Sequence, residues 1–597
     1  MIPIGYRDIA VTGGFWGELQ RRNRERTMPA VEARFRETGR FDAFRFGTAW
    51  PEGWQPHIYW DSDVAKWMEA AAYILQKAPD PRLEQSVEEL IDLIGKNQGA
   101  DGYFNIHFTV VAPEMRWQNR DWHELYCAGH LIEAAVAYYE ATGRDRFLHC
   151  MLKYAAYIEK VFMIEGSAAF ATPGHEEIEL ALVRLYRCTG DARWLRLSQW
   201  FVEQRGNNGK DKPIGGVPCY AQNHLPAREQ TEAMGHAVRA TYLYCAMADL
   251  ALETGDEGLL NACRALFRNI TEKRMYITGG VGSTHRGEAF TVDYDLPNET
   301  AYAETCAAIG LALFARRMSA LEPDSRYADA AERAIYDGFL SGISEDGTAF
   351  FYENPLEIHP ALRHRDTCRP DNERYPITQR QKVFRCSCCP PNVVRFVASL
   401  ADFLFTRDGD TLYVHHYACA RTAQIDMATE YPREGEIALR LRGMAGGRVA
   451  LRIPGWCENY HCSAAETLGR GYCYVDIPSD DFSLELRLEM PARLVYANPR
   501  AYENIGRAAV TRGPVVYCLE AVDNGENLRA LSIAAGACFT GGFDILECDG
   551  HRLEAPDALY AAEAPKRLPQ RLRFIPYYRF ANRGESEMAV WIRAESQ

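Results

Sequence analysis

Three cysteines fall within four residues in Cys386-Ser387-Cys388-Cys389, followed by Pro390-Pro391-Asn392. Adjacent Cys388 and Cys389 cannot easily close on each other, because the eight-membered ring would strain the disulfide geometry. Neighbouring free thiols serve instead as metal ligands, supply a nucleophile, or pack as small apolar groups in a core. Proline suits the first turn of a helix. Pro390-Pro391 therefore set the thiols just ahead of a helix formed by the largely apolar run 393–405. There the free N–H groups and the helix dipole favour thiolate over thiol.

A metal would need further donors, since zinc takes Cys, His or carboxylate, four in all. The other compact source is Tyr302-Ala303-Glu304-Thr305-Cys306. Residues i and i+2 of a helix face different ways. Glu304 and Cys306 converge only in an extended or turn segment entering a helix at Ala307. The expected set is then Glu304, Cys306, Cys388 and Cys389, from two loop-to-helix junctions. The simpler reading of Glu304 alone is a carboxylate complementing a helix N-terminus.

A glycine-rich stretch, Thr278-Gly279-Gly280-Val281-Gly282-Ser283, leads to Glu288. It lacks the Lys-Ser/Thr of a phosphate loop and the strand–helix setting of a dinucleotide fold. Glu288 at its exit is a candidate acid/base, or simply a surface carboxylate. Three Gly-His pairs, at His130, His175 and His236, each open a helix in the sequence pattern. If those helices are equivalent, the three histidines line one mouth.

The elements that must position these residues are helical for two thirds of the chain. Residues 63–76 carry Val64, Trp67, Met68, Ala71, Ala72 and Leu75 at helical spacing, and residues 83–94 repeat the pattern after Pro79-Asp80-Pro81. After each Gly-His helix comes a Thr-Gly (142–143, 189–190, 254–255) and a second helix; Gly in that place is the usual C-cap. Five or six such hairpins with an irregular period favour a closed (α/α)6 barrel over a regular solenoid. After about residue 407 the pattern turns to period two, as in Thr411–His415, Ile437–Leu441, Val449–Ile453 and Leu484–Leu488, which predicts antiparallel β-sandwich domains. The expected division is a barrel over residues 1–406, a β-sandwich domain over 407–506 and a second over 507–597.

At 597 residues the length suits about three domains. A net charge of −14 argues against nucleic acid or an anionic membrane as partner, and raises no conflict with a neutral sugar. No basic-then-apolar N-terminal stretch and no apolar run of about 18 residues occurs, so neither a signal peptide nor a membrane span is expected. Scattered cysteines suggest free thiols in a reducing cytoplasm.

The motifs Thr291-Val292-Asp293-Tyr294-Asp295-Leu296-Pro297-Asn298, Glu304-Thr305-Cys306 and Cys388-Cys389-Pro390-Pro391-Asn392 resemble those of glycoside hydrolase family 127, the β-L-arabinofuranosidase family, related to family 146. The likeness starts at Val11-Thr12-Gly13-Gly14-Phe15-Trp16 and covers nearly the whole chain. It implies an (α/α)6 catalytic barrel with C-terminal β-sandwich domains. It also implies Zn2+ on Glu304, Cys306, Cys388 and Cys389, Cys388 as nucleophile, Glu288 as acid/base, and His130, His175 and His236 against the sugar. The implied reaction is retaining release of L-arabinofuranose from an oligosaccharide or arabinoside. A sugar epimerase on the same type of barrel would not need the thiol cluster; a carbohydrate-binding protein with a structural zinc would not turn substrate over. The β-sandwich domains are compatible with capping the barrel mouth, forming a homodimer, or stabilisation alone.

Overall fold

The computed structural model describes residues 1–51, 54–362, 377–382, 386–554, 556 and 558–595. Residues 383–385, just before the thiols, and 596–597, the end of the expected third domain, lie outside the described residues.

The first two thirds of the chain are α-rich and the rest β-rich. The helices that position the site are α1 (Met28–Glu37), α2 (Trp60–Lys77), α3 (Pro81–Asn97), α4 (Glu124–Thr142), α5 (Arg146–Ile158), α6 (Ile178–Thr189), α7 (Ala192–Gln204), α8 (Ala237–Thr254), α9 (Glu257–Asn269), α10 (Thr305–Leu321), α11 (Ser325–Arg333) and α12 (Cys389–Ala398). The even-numbered six pack in a cycle, α2 on α4, α4 on α6, and so on to α12, which returns to α2. Each odd-numbered helix packs outside the ring.

Sequence decides which helix goes where. α2 is buried at every residue from Trp60 to Leu75, which suits a helix covered inside and out. α9 buries the apolar stripe Leu259, Ala262, Cys263, Leu266 and Phe267, with Asn269 at its end, and turns most of its polar residues outward. At the hairpin turns Gly143, Gly190 and Gly255 take φ of 73°, 72° and 69° as C-caps of α4, α6 and α8. Those left-handed angles are inexpensive only for glycine.

The Gly-His pairs do not open equivalent helices as the pattern suggests. α4 starts at Glu124, so His130 stands in its second turn. α6 starts at Ile178, three residues after His175, while His236 is the N-cap of α8. The upstream residues of α4 are apolar enough to extend the helix back past the glycine, a tertiary effect that local punctuation does not encode.

Among the described residues, the β-rich part holds two six-stranded sheets and a ten-stranded one. The first sheet includes Phe405–Asp408, Thr411–Val414, Arg448–Arg452, Thr467–Gly469 and Tyr472–Asp476; the second includes Ile425–Thr429, Glu436–Arg442, Tyr460–Cys462 and Asp481–Leu488. In Glu436–Arg442 exposed and buried residues alternate up to Leu441, as a half-covered strand requires. Four short strands pair across the expected boundaries. Ile2–Pro3 joins Phe405–Asp408 and Ala10–Val11 joins Ala420–Arg421, while Glu357–Ile358 and Ala492–Val495 enter the ten-stranded sheet.

Candidate metal centre and active site

The ends of α10 and α12 meet at the thiols. Cys388 is the N-cap residue of α12 and Cys389 its first residue, with Pro390 and Pro391 filling the first turn. Glu304 is the N-cap of α10, with φ −57° and ψ 137°, and Cys306 is the second helical residue. Ala303 before them sits at φ 41°, a left-handed angle unusual for alanine. The bend lets Glu304 and Cys306 face one point although they are two apart; the helix starts two residues before Ala307.

The four ligand atoms lie within 4.8 Å of one another. Cys306 Sγ is 3.3 Å from Cys389 Sγ and 3.7 Å from Cys388 Sγ, which are 3.8 Å apart. Glu304 Oε1 is 3.5 Å from Cys388 Sγ and 3.6 Å from Cys389 Sγ. Thiolates about 2.3 Å from a tetrahedral zinc stand roughly 3.8 Å apart, so the donor set fits that ion. Glu304 Oε2 is buried with no hydrogen-bond partner among the described residues. Burial, then charge on Cys388 and Glu288, pushes the Glu304 carboxyl well above its usual range. Burial also pushes up Cys389, helped by its bonds to Cys306 and Cys388. Four acidic groups packed this closely cannot all ionise alone, and a divalent cation is the counter-charge that permits it.

Glu288 reaches the same spot from a tight loop. Its backbone takes φ 53° after Gly287 at 71°. The loop is tied to α8, with Ala237 N–H donating to Glu288 O (2.9 Å) and Phe290 N–H to Gly235 O (2.9 Å). His236 Nδ1 accepts from the N–H groups of Val238 and Arg239 at 3.2 and 3.4 Å. That leaves the ring proton on Nε2, 2.9 Å from Glu288 Oε2. Burial holds His236 below the usual imidazole range, so it donates as a neutral ring. Burial opposes charge on Glu288, but hydrogen bonds from His236 and Tyr302 and the Arg239 charge outweigh it and keep the carboxyl below its usual value. Oxygens of Glu288 and Glu304 and a His236 nitrogen lie within 4.8 Å of one another.

The three histidines gather despite their unequal helix positions. The Tyr126 ring is 4.5 Å from His130 and 4.1 Å from His175, and His175 is 5.5 Å from His236. His130 is fully buried, with Nδ1 2.9 Å from Glu177 Oε1. Spacing gave no sign of the tyrosines. The Cys388 thiol donates to Tyr352 Oη at 3.0 Å, and the same hydroxyl is 3.8 Å from Cys386 Sγ. Tyr126, Tyr242, Tyr302 and Tyr352 come from separate elements, and an isolated buried tyrosine looks the same in sequence wherever it packs.

No helix of the described residues is long and apolar enough to cross a membrane. The chain is 36% identical over 593 residues to the non-reducing end β-L-arabinofuranosidase of Bifidobacterium longum subsp. longum, covering 90% of this chain and 89% of that one. Its fold matches the crystal structure of a family 127 β-L-arabinofuranosidase from Geobacillus stearothermophilus T6, with TM-score 0.92 and 41% identity over 98% of this chain and all of that one. A second solved structure, a family 127 β-arabinofuranosidase, matches with TM-score 0.88 and 33% identity, covering 100% and 98% of the two chains. The family's C-terminal domain matches residues 492–593, and its β-L-arabinofuranosidase catalytic domain matches residues 8–402, so the chain belongs to glycoside hydrolase family 127.

Proposed function

We propose that the chain is an exo-acting, retaining hydrolase that releases L-arabinofuranose from β-L-arabinofuranosides. The observation that carries this reading is one carboxylate with a working group on either side. Glu304 lies 3.5 Å from Cys388 Sγ and, through its carboxylate, within 4.8 Å of Glu288. On this reading the Cys388 thiolate serves as nucleophile in place of the second carboxylate of retaining glycosidases, with Glu288 as the acid/base. The curated and structural relatives described above, which carry the β-L-arabinofuranosidase name, support the sugar.

In the first step Cys388 sulfur attacks the anomeric carbon and the bond to the leaving oxygen breaks. Glu288 gives that oxygen its proton. In the second step Glu288 takes a proton from water, the water oxygen bonds the anomeric carbon, and the carbon–sulfur bond breaks. Two inversions leave the configuration unchanged. Glu288 must be protonated when substrate arrives, so its bonds from His236 and Tyr302 have to give way in part to the leaving oxygen. His130, His175 and His236 orient the sugar. Residues Glu304, Cys306, Cys388 and Cys389 would hold zinc, which when bound supplies the positive charge that keeps the sulfurs as thiolates.

On this reading the helical cycle is an (α/α)6 barrel and the paired sheets are β-sandwiches. The units are residues 1–406, 407–506 and 507–597, with the four short strands crossing those lines.

The test is the stereochemistry of p-nitrophenyl β-L-arabinofuranoside hydrolysis followed by proton NMR, with zinc measured on the same sample. The β-anomer should appear first. Release of the α-anomer first, or no release by zinc-loaded protein, would overturn the reading.

A further inference from the structure

A second group of soft ligands stands in the β-rich part, outside the site described above. Cys462 ends the strand Tyr460–Cys462 in the second sheet. Cys473 lies in Tyr472–Asp476 in the first sheet, between Leu451 and Leu468 on its neighbours. Glu466 stands in the link, just before Thr467–Gly469. The segment thus crosses from one sheet to the other, and the crossing brings the three side chains together. The two sulfurs and a carboxylate oxygen lie within 4.8 Å of one another.

These contacts are more specific than a core needs. Cys473 is fully buried, Cys462 partly so, and Glu466 exposed. Tyr460 Oη donates to Glu466 Oε1 at 2.7 Å, which holds an exposed carboxylate over the thiols instead of letting it move in solvent. The Cys473 thiol donates to Glu466 Oε2. A small apolar space-filler would require no aimed carboxylate.

We propose that Cys462, Glu466 and Cys473 bind a thiophilic divalent cation, zinc in the first instance. Two thiolates and one carboxylate are three of the four donors that a tetrahedral site takes. The exposed side of Glu466 leaves the fourth position to water. The ion would clamp the two sheets through their crossing segment. With three protein donors and an open edge, this site should exchange its metal faster than the four-donor centre at Glu304.

The test uses the full chain, purified with reductant, equilibrated with zinc and freed of excess metal. Wild type should retain about two zinc ions per chain and C462S/C473S about one, with arabinofuranoside hydrolysis unchanged within about twofold. Equal zinc in both proteins would overturn the proposal, as would a Cys462–Cys473 disulfide found by peptide mapping of the reductant-purified wild type. If the double variant fails to fold, cobalt titration of metal-free wild type and of E466Q gives a second reading. A thiolate-to-cobalt charge-transfer band that E466Q shifts or weakens supports the site, and a spectrum that E466Q leaves unchanged overturns it.

Discussion

The helical ring ends in two charged chambers that are built on opposite principles. At the N-terminal ends of the inner helices, Glu304, Cys306, Cys388 and Cys389 crowd together with no cationic side chain bonded to any of them among the described contacts. Toward the C-terminal ends lies a cavity of about 790 Å3 lined by Glu69, Glu133, Arg184, Asp249 and Arg317, among others. There every named charge has a partner. Arg184 contacts Glu69 and Glu133 at 3.0 and 2.9 Å, and Asp249 meets Arg187 at 3.0 Å and Arg317 at 2.6 Å. That cavity is electrically closed, whereas the thiol cluster is electrically incomplete. On the proposed function, uncompensated like charge is what marks the reacting groups.

The sharpest way to break this contrast is to remove the reacting groups at the thiol end. C388A should lower kcat/KM by at least about 10^4-fold, and E288Q by about 10^2 to 10^4-fold, with unfolding midpoints near wild type. Hydrolysis by C388A within about tenfold of wild type would remove the thiolate from the reaction. Chelation should come next. Dialysis against a strong zinc chelator should abolish most activity, and added zinc should restore it.

The opposite chamber predicts the reverse pattern. D249N leaves Arg187 and Arg317 without their shared carboxylate. It should cost about 3 kcal/mol of stability in denaturant unfolding while kcat/KM stays within about threefold. A large loss of activity without loss of stability would show that the far chamber takes part in turnover.

A further prediction concerns pH. Asp61 is fully buried and accepts from Ile106 N–H at 2.9 Å, but its other oxygen has no partner among the described residues. Burial pushes its carboxyl up to about 7. A raised folded value means that the stability this group contributes is whole below its unfolded value, near 4, and is lost as pH rises to about 7. D61N should therefore be more stable than wild type at pH 8 by up to about 4 kcal/mol and no more stable at pH 4. Thermal unfolding of the pair across that range checks it; a gap independent of pH would contradict the assignment.

Much of the site was legible because its residues are neighbours in sequence. Adjacent thiols ahead of two prolines, and Glu-x-Cys at a helix entry, announce a cluster through local geometry alone. The histidines were legible by type but not by position. Gly129 lies inside α4, where packing against neighbouring helices outweighs its tendency to mark a boundary. Tyr352 and Tyr302, which bond Cys388 and Glu288, were not legible at all, since only the ring closure brings them there. The period-two pattern announced the strands, but not that Ile2–Pro3, Ala10–Val11 and Glu357–Ile358 would join them. Strands of two residues are too short to show alternation.

Those short strands have a consequence for how the chain is made. Ala10 pairs with Arg421, about 410 residues later, and Ile2 with Arg407. A ribosome adding roughly 5–20 residues per second needs about 20–80 s to produce those partners. For that time the leading segment has no strand to pair with, although the helices behind it can begin to pack. Ile2–Pro3 and Ala10–Val11 therefore return to a surface that did not exist when they emerged.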